Sequence, residues 1–352
     1  MTQPTVIEAG RLAAFATEIF RAAGVPLERA AMAAESLVAA NLRGVDSHGI
    51  QLLSFYVEQI LAGDVDPAAA GEVASQAGSC VVYDGHNGLG QSVAHECCRI
   101  GVELTREHGL SLVVARESNH FGAAAWWAQK YSAVGLIGLV FCNASPIVPP
   151  WQGREGRIGT NPICMSVPGG AEPPWLLDMA TTTVAAGKVY KASLNGQQTI
   201  PPGWALDSEG SPTTSVEEAL RGLIAPLGGY KGSGLAMMVE VLCAVLGGGA
   251  MSTELGGIRV RGRPMRPSQA FIGIDIARFL PPDEFKARMD WLIRRVKDTP
   301  PGRGYSEVLV AGEPELRAEE IRRREGIPIE PGNWEALTNT ARRLGVDPPD
   351  LG

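Results

Sequence analysis

The 352-residue chain holds only five histidines, six cysteines and 6% aromatic residues. The cysteines (Cys80, Cys97, Cys98, Cys142, Cys164 and Cys243) form no CxxC pair and no zinc-finger spacing. Metal-thiolate and disulfide-exchange motifs are thereby excluded, and reduced, packed thiols are expected. No cluster of metal-ligand residues stands out, so no metal is expected. Positive charge is not in excess: 31 basic against 38 acidic residues leave a net charge of −7. That balance argues against a nucleic-acid partner. The most apolar run, residues 232–247, contains Glu240 and is shorter than the ~20 residues that span a bilayer. Residues 1–10 are polar, without a basic stretch leading into an apolar one. A cytoplasmic protein without membrane contact is expected.

What is abundant is apolar side chain, 45% of the chain, and glycine, 43 residues. The length suits two domains with a sizeable core. Glycine exceeds its usual ~7% share and costs backbone entropy, which asks for tight turns or backbone lying close to a ligand. Apolar residues at Leu12, Phe15, Ile19 and Phe20 have helical spacing, and helices are expected again over residues 27–41 and 50–61. From Cys80 the pattern alternates. Strands are expected over 80–83, 110–115 and 135–142, with helices over 91–108 and 121–134, the order of an α/β layer. Residues 143–174 read as a loop-rich stretch with no strand singled out, 175–178 as strand and the residues up to 192 as helix. Residues 193–230 read as an exposed connection rich in Gly, Pro and Ser. A strand over 269–274 and helices over 283–297, 314–324 and 334–344 complete the chain.

Five polar segments could carry chemistry. Arg43-Gly44-Val45-Asp46-Ser47-His48-Gly49 sets an imidazole beside a hydroxyl, a pair able to move a proton near neutral pH. Ser47 could equally cap the next helix. A serine hydrolase is disfavoured, since adjacent side chains rarely face each other and no GxSxG elbow occurs. Ser118-Asn119-His120-Phe121-Gly122 follows a strand, where α/β layers open ligand crevices, though Ser118 and Asn119 could be caps. Gly159-Thr160-Asn161-Pro162 and Asp178-Met179-Ala180-Thr181 combine small and polar groups that suit a pyrophosphate or ordinary turns. Asp178 could also pair with a histidine. Gly229-Tyr230-Lys231-Gly232-Ser233-Gly234 puts a lysine at a positive helix end, without Walker A spacing. No GxGxxG follows an expected strand, so a Rossmann site is unsupported. His86, His95 and His108 read as structural.

Together with Gly312-Glu313-Pro314, these segments resemble the type 2 malate/L-lactate dehydrogenases, NAD(P)-dependent oxidoreductases of small 2-hydroxy acids. The resemblance runs from residue 43 to 314. It implies an α/β, non-Rossmann fold: a mixed-sheet cofactor domain over 76–281, with a helical domain built from both chain ends, 1–75 and 282–352. It implies a homodimer, a small-molecule substrate, and NAD or NADP as cofactor. By the same resemblance, Ser47 and His48 are a catalytic pair with an aspartate partner, assigned to Asp178. His120 resembles the proton acceptor of ureidoglycolate dehydrogenases and a substrate contact. Thr160, Asn161, Asp178, Met179, Ala180, Lys231, Gly312 and Glu313 look like cofactor-binding positions, and the motif glycines would let backbone approach the dinucleotide.

One departure bears on substrate. Many members carry an arginine four residues after the motif histidine, where this chain has Leu52. A leucine cannot make the bidentate pair of a guanidinium with a carboxylate. Arg43 or another cation must replace it, or the substrate differs at that end. Reduction of a cyclic imine bearing a 2-carboxylate, as in piperideine- or pyrroline-2-carboxylate, is the alternative within oxidoreductases. A non-catalytic ligand-binding protein is the alternative outside them.

Overall fold

The computed structural model describes residues 3–350. The chain opens with β1 (Thr5–Ile7), α1 (Ala9–Ala22) and α2 (Leu27–Leu42). Two 3-10 turns, Asp46–His48 and Ile50–Leu52, then lead into α3 (Leu53–Leu61). Helix α1 starts where the Glu8 carboxylate accepts the N–H groups of Gly10 and Arg11, at 2.8 and 2.9 Å. Its buried residues, Leu12, Phe15, Ala16, Ile19 and Phe20, form one stripe. Each such large side chain contributes about 1.5–3 kcal/mol on burial.

The sheet follows: β2 (Glu72–Ala77), β3 (Cys80–Asp84), α4 (Gly90–His108), β4 (Leu110–Arg116), α5 (Ala124–Ser132), β5 (Ile137–Cys142), β6 (Ile163–Val167) and β7 (Trp175–Met179). Next come α6 (Ala186–Leu194), β8 (Ala205–Leu206), β9 (Pro212–Thr213), α7 (Val216–Arg221), β10 (Leu223–Ile224) and α8 (Tyr230–Glu240), which runs on as a π-helical turn, Val241–Val245. The chain ends with β11 (Gln269–Ile274), α9 (Pro282–Lys297), α10 (Glu313–Glu325), β12 (Ile327–Ile329) and α11 (Pro331–Arg343).

Seven strands form a mixed sheet in the order β2-β3-β4-β11-β5-β6-β7. Only the β3–β4 pair is parallel; β11 enters late in the chain between β4 and β5, antiparallel to both. Val81, Val113, Val140 and Phe271 share one face with Cys97 of α4 and Trp127 of α5. The other face buries Val114, Phe141 and Ala270 under Val239 and Cys243. The helical core draws on both chain ends: Leu12, Phe20, Leu37 and Leu53 share it with Ile327, Leu337 and Ala341. Strands β1 and β12 pair antiparallel across the same ends. Residues 1–2 and 351–352 of the expected helical unit lie outside the described residues. Helix α9 is tied to the sheet side, where Asp290 accepts the N–H groups of Gly170, Ala171 and Glu172.

Two expectations need correction. Residues 193–230 are not an open connection: β8, β9 and β10 form a small sheet, with α6 and α7, over Val189, Ile200, Ala205 and Ile224. Residues 143–174 are not all loop, because β6 lies inside them as the partner of β5 and β7. In both stretches Gly and Pro mask short strands whose order comes from pairing rather than from local pattern.

Candidate active site

The 3-10 turn Asp46–His48 brings adjacent side chains together after all. Ser47 Oγ lies 3.0 Å from His48 Nδ1. Ser47 does not cap α3, whose N-cap is Leu52 with no side-chain cap bond. Across from this turn stands His120, whose ring is stacked on His48 with centroids 5.8 Å apart and planes at 25°.

His120 is held from below by its own segment. Ser118 Oγ donates to Gln269 Oε1, and Gln269 Nε2 donates to Asn119 O at 3.0 Å. Asn119 Nδ2 donates to the carbonyls of Asn87 and Gly88. Both residues therefore brace the segment against β11 and the 87–88 loop, and neither caps α5, whose N-cap is Ala123. Gly122 N–H donates to His120 Nδ1 at 3.2 Å, and the Tyr56 hydroxyl of α3 sits 2.6 Å from the same nitrogen. Burial pushes the Tyr56 phenol well above its ordinary pKa of 10, so it stays protonated and donates. With Nδ1 accepting, the hydrogen network puts the ring proton of neutral His120 on Nε2.

Burial also lowers the His48 pKa. His120 is pushed down to about 3, first by burial and then by its neighbour His48. Both rings are therefore neutral at neutral pH. Among the described residues no protein group bonds either Nε2.

Asp178, on β7, accepts the N–H of Ala125 at 2.9 Å. The residue is exposed at the surface, while protein atoms crowd around its carboxyl. That crowding raises its pKa to about 6, against the lowering influence of Ala125 N–H and Arg43. The hydrogen bonds of the two histidines go to Ser47, Tyr56 and Gly122 rather than to Asp178. Arg43 itself pairs with Glu319 of α10 at 3.3 Å and is largely covered. Leu52 is 6% exposed and belongs to the helical core, beside Leu53 and Tyr56.

The expected cofactor segments meet one another. Thr181 N–H donates to Thr160 O at 2.9 Å, and Leu227 N–H donates to Thr181 O at 3.0 Å. A Cβ on Gly232 would lie 2.5 Å from Thr181 O, so here the missing side chain admits the protein's own backbone. Asn161 is fully buried at a φ of 30°. Its Oδ1 accepts Ala144 N–H, and its Nδ2 donates to Ala236 O and to Glu240 Oε1 at 3.1 Å. Its side chain thus serves the fold. Met179 and Ala180 are half-buried beside Asp178. Gly312 abuts β7, and Glu313 is engaged by Lys297 and Arg317. Lys231 is exposed in the first turn of α8 with no ion-pair partner among the described residues.

Three further residues belong to this region. Tyr56 reads in sequence as a core position of a helix, and only the fold brings it to His120. Glu240, 5% exposed, accepts from the amides of Asn143 and Asn161 just before the π-helical turn. A lone acid in an apolar run was its visible signal. Gln91 is buried facing the Tyr56 phenol. Among the described residues there is no group of three or more potential metal ligands.

A sequence profile of the malate/L-lactate dehydrogenase family matches residues 7–338. The malate dehydrogenase of Pyrococcus horikoshii is 36% identical, over 96% of this chain and 95% of that protein. The L-sulfolactate dehydrogenase of Methanocaldococcus jannaschii is 33% identical, over 95% of each. The solved P. horikoshii malate dehydrogenase superposes with a TM-score of 0.90 and 34% identity, covering 98% of this chain and 97% of that one. A delta1-piperideine-2-carboxylate reductase from Pseudomonas syringae superposes with a TM-score of 0.83 and 29% identity, covering 96% and 99%. The chain belongs to the malate/L-lactate dehydrogenase family, and it is an oxidoreductase.

Proposed function

We propose that the protein transfers a hydride reversibly between a nicotinamide cofactor, NAD or NADP, and a small 2-hydroxy or 2-keto acid. The observation that carries this reading is the facing histidine pair. Each ring has Nδ1 engaged by a hydroxyl, and its Nε2 is unclaimed by protein. The bound dinucleotide would supply or accept the hydride, leaving the protein to orient the reactants and move one proton.

The two rings have different parts to play. A general base needs a lone pair on the nitrogen that faces substrate. In His120 the lone pair is on Nδ1, occupied by Tyr56 and Gly122, so Nε2–H can only donate a hydrogen bond to the substrate oxygen. Ser47 can accept from His48 Nδ1–H, which leaves the lone pair on His48 Nε2. His48 is therefore the group that takes the hydroxyl proton in oxidation and returns it in reduction. His120 polarises the same oxygen. Asp178, in the field of Arg43, lines the cofactor side rather than the imidazoles.

The donor chemistry suits a dinucleotide. Lys231 is an uncommitted cation at the positive end of α8, and Thr160 and the 178–180 segment lie on the same connected set of loops. The family's type 2 members are the basis for NAD(P). A second reading is reduction of a cyclic imine with a 2-carboxylate, the chemistry named for the P. syringae neighbour; Leu52 does not separate the two, since both substrates carry the carboxylate that an arginine would bind. A non-catalytic binding role is disfavoured, as both histidines and Lys231 are retained.

We further propose a homodimer in the cytoplasm. Met237, Met238, Val241, Val245 and Leu246 lie 39–55% exposed along α8 and its π-helical turn, an apolar stripe that a second copy would cover. Sedimentation of the purified protein tests this, and a monomer would reject it.

An activity matrix of NAD and NADP against 2-hydroxy acids, 2-keto acids and cyclic imino acids tests the reaction. Absorbance of the reduced nicotinamide is the readout. His48→Ala and His120→Ala should each lose turnover while cofactor binding survives. Full activity in both variants would reject the site.

A further inference from the structure

Helix α10 reaches back to the turn that carries His48. Arg322 donates from Nη1 to Asp46 Oδ1 at 2.6 Å and from Nη2 to Asp46 Oδ2 at 2.9 Å. This forked pairing fixes direction as well as distance. The same guanidinium donates to Asn41 O. Asn41, 2% exposed, is the second half of the clamp. Its Nδ2 donates to Asp46 Oδ1 at 2.6 Å, and its Oδ1 accepts Ile50 N–H at 2.7 Å. The turn is thus tied just before and just after Ser47-His48. A Cβ on Gly49 would lie 2.2 Å from Asn41 Oδ1, so the chain can close on Asn41 only with glycine there.

Helix α10 makes two more contacts with the same segment. Glu319 pairs with Arg43, and a Cβ on Gly44, where φ is +76°, would touch Ala318 at 3.3 Å. Residues 318, 319 and 322 share one face of the helix. At its other end α10 starts beside β7, where Leu176 N–H reaches Ala311 O. One helix therefore touches both the strand bearing Asp178 and the turn bearing His48.

We propose that Arg322 is a positioning residue for the acid/base histidine: through Asp46 and Asn41 it fixes the 46–48 turn, and His48 with it, against His120. The proposal rests on the reading of His48 as the proton carrier. Helix α10 buries no residue of its own, so a purely structural role for Arg322 in docking the helix is the rival account.

The two accounts part on the histidine itself. In Arg322→Ala, kcat should fall at least about 10-fold, since a ~1 Å misplacement can cost ~10²-fold. The KM for the cofactor should be unchanged. Arg322→Lys, which supplies one charge but no fork, should recover part of the loss. The double variant Arg322→Ala/Asp46→Ala should fall no further than the worse single, because the two residues act as one unit. Ring NMR signals of His48 in the ligand-free protein should move in Arg322→Ala and in Asp46→Asn, and those of His120 less. The ring spectra decide the positioning even if the wild-type protein turns over none of the tested acids. That latter result would overturn the functional reading instead. If Arg322→Ala does not fold, Arg322→Lys and Asp46→Asn carry the same comparison. Unmoved His48 signals in folded variants, or an unchanged kcat in an active enzyme, would overturn the proposal.

Discussion

The Tyr56→Phe variant tests the division of labour between the two histidines. Tyr56 is 3% exposed, and its ring lies 6.2 Å from that of Phe20 in the helical core. Phenylalanine keeps that packing and removes one atom of consequence, the hydroxyl 2.6 Å from His120 Nδ1. A neutral hydrogen bond of this kind is worth about 0.5–1.5 kcal/mol net, or roughly 2- to 13-fold in rate if it is realised fully in the transition state. The effect should stop there, because Gly122 N–H still occupies Nδ1 at 3.2 Å and keeps the proton on Nε2. Removing a hydrogen-bond donor that touches the reacting oxygen would cost far more, on the order of 10²–10³. Steady-state kcat and KM with the best substrate, together with nitrogen NMR of the His120 ring, measure both parts. A loss near 10³-fold would mean that the phenol itself touches substrate. No loss, with an altered His120 tautomer, would mean that the tautomer does not matter. Either result refutes the reasoning.

Acid should weaken the fold through His120. Its folded pKa, about 3, lies below the ordinary 6.5, so its contribution is complete above pH 6.5 and is lost as pH falls toward 3, by at most about 5 kcal/mol. Asp178 has the opposite sign: its pKa is raised from 3.8 to about 6, so its contribution is present below pH 3.8 and lost as pH rises to 6. Urea midpoints between pH 4 and 7 should therefore vary less steeply with pH in His120→Gln, whereas Asp178→Asn should gain on wild type as pH rises; the reverse slopes would show that other groups dominate. Glu240→Gln should lower stability by about 1–3 kcal/mol, because an amide N–H₂ would then face one of the donor amides of Asn143 and Asn161; thermal unfolding reads it, and an unchanged midpoint would argue against a need for two acceptor oxygens there. Arg259, whose guanidinium lies 5.0 Å from the centre of the Phe55 ring beside Tyr56, has no carboxylate partner among the described residues. If it replaces the arginine that Leu52 displaces, Arg259→Ala should raise the substrate KM with little change for the cofactor, and an unchanged KM would return the question to the substrate's own shape.

How much of this was legible follows from how each feature is specified. Helices such as α1 declare themselves because their apolar stripe has a local period, and β11 because residues 270–274 are an unbroken run without a polar side chain. β6 and the strands around Ala205 are set by partners far away in the chain, so their Gly- and Pro-rich surroundings hid them. The site divides in the same way. Ser47, His48 and His120 stand in compact polar motifs, and the fold does bring their rings face to face. The residues that control those rings had no such mark. Tyr56 occupies an ordinary helical core position, Asn41 is one more residue of α2, and Arg322 sits among the charges of α10, some 276 residues from Asp46. Asn161 shows the converse: a prominent motif residue whose amide is committed to Ala144, Ala236 and Glu240. A motif therefore marks where chain segments must meet, and it does not by itself say whether a side chain meets a ligand or its own protein. The glycines argue likewise, since at Gly49 and Gly232 the absent Cβ leaves room for Asn41 and for Thr181. The high glycine content is thus, in part, the requirement of a site assembled by close backbone contact between distant segments, beyond any need to admit a ligand.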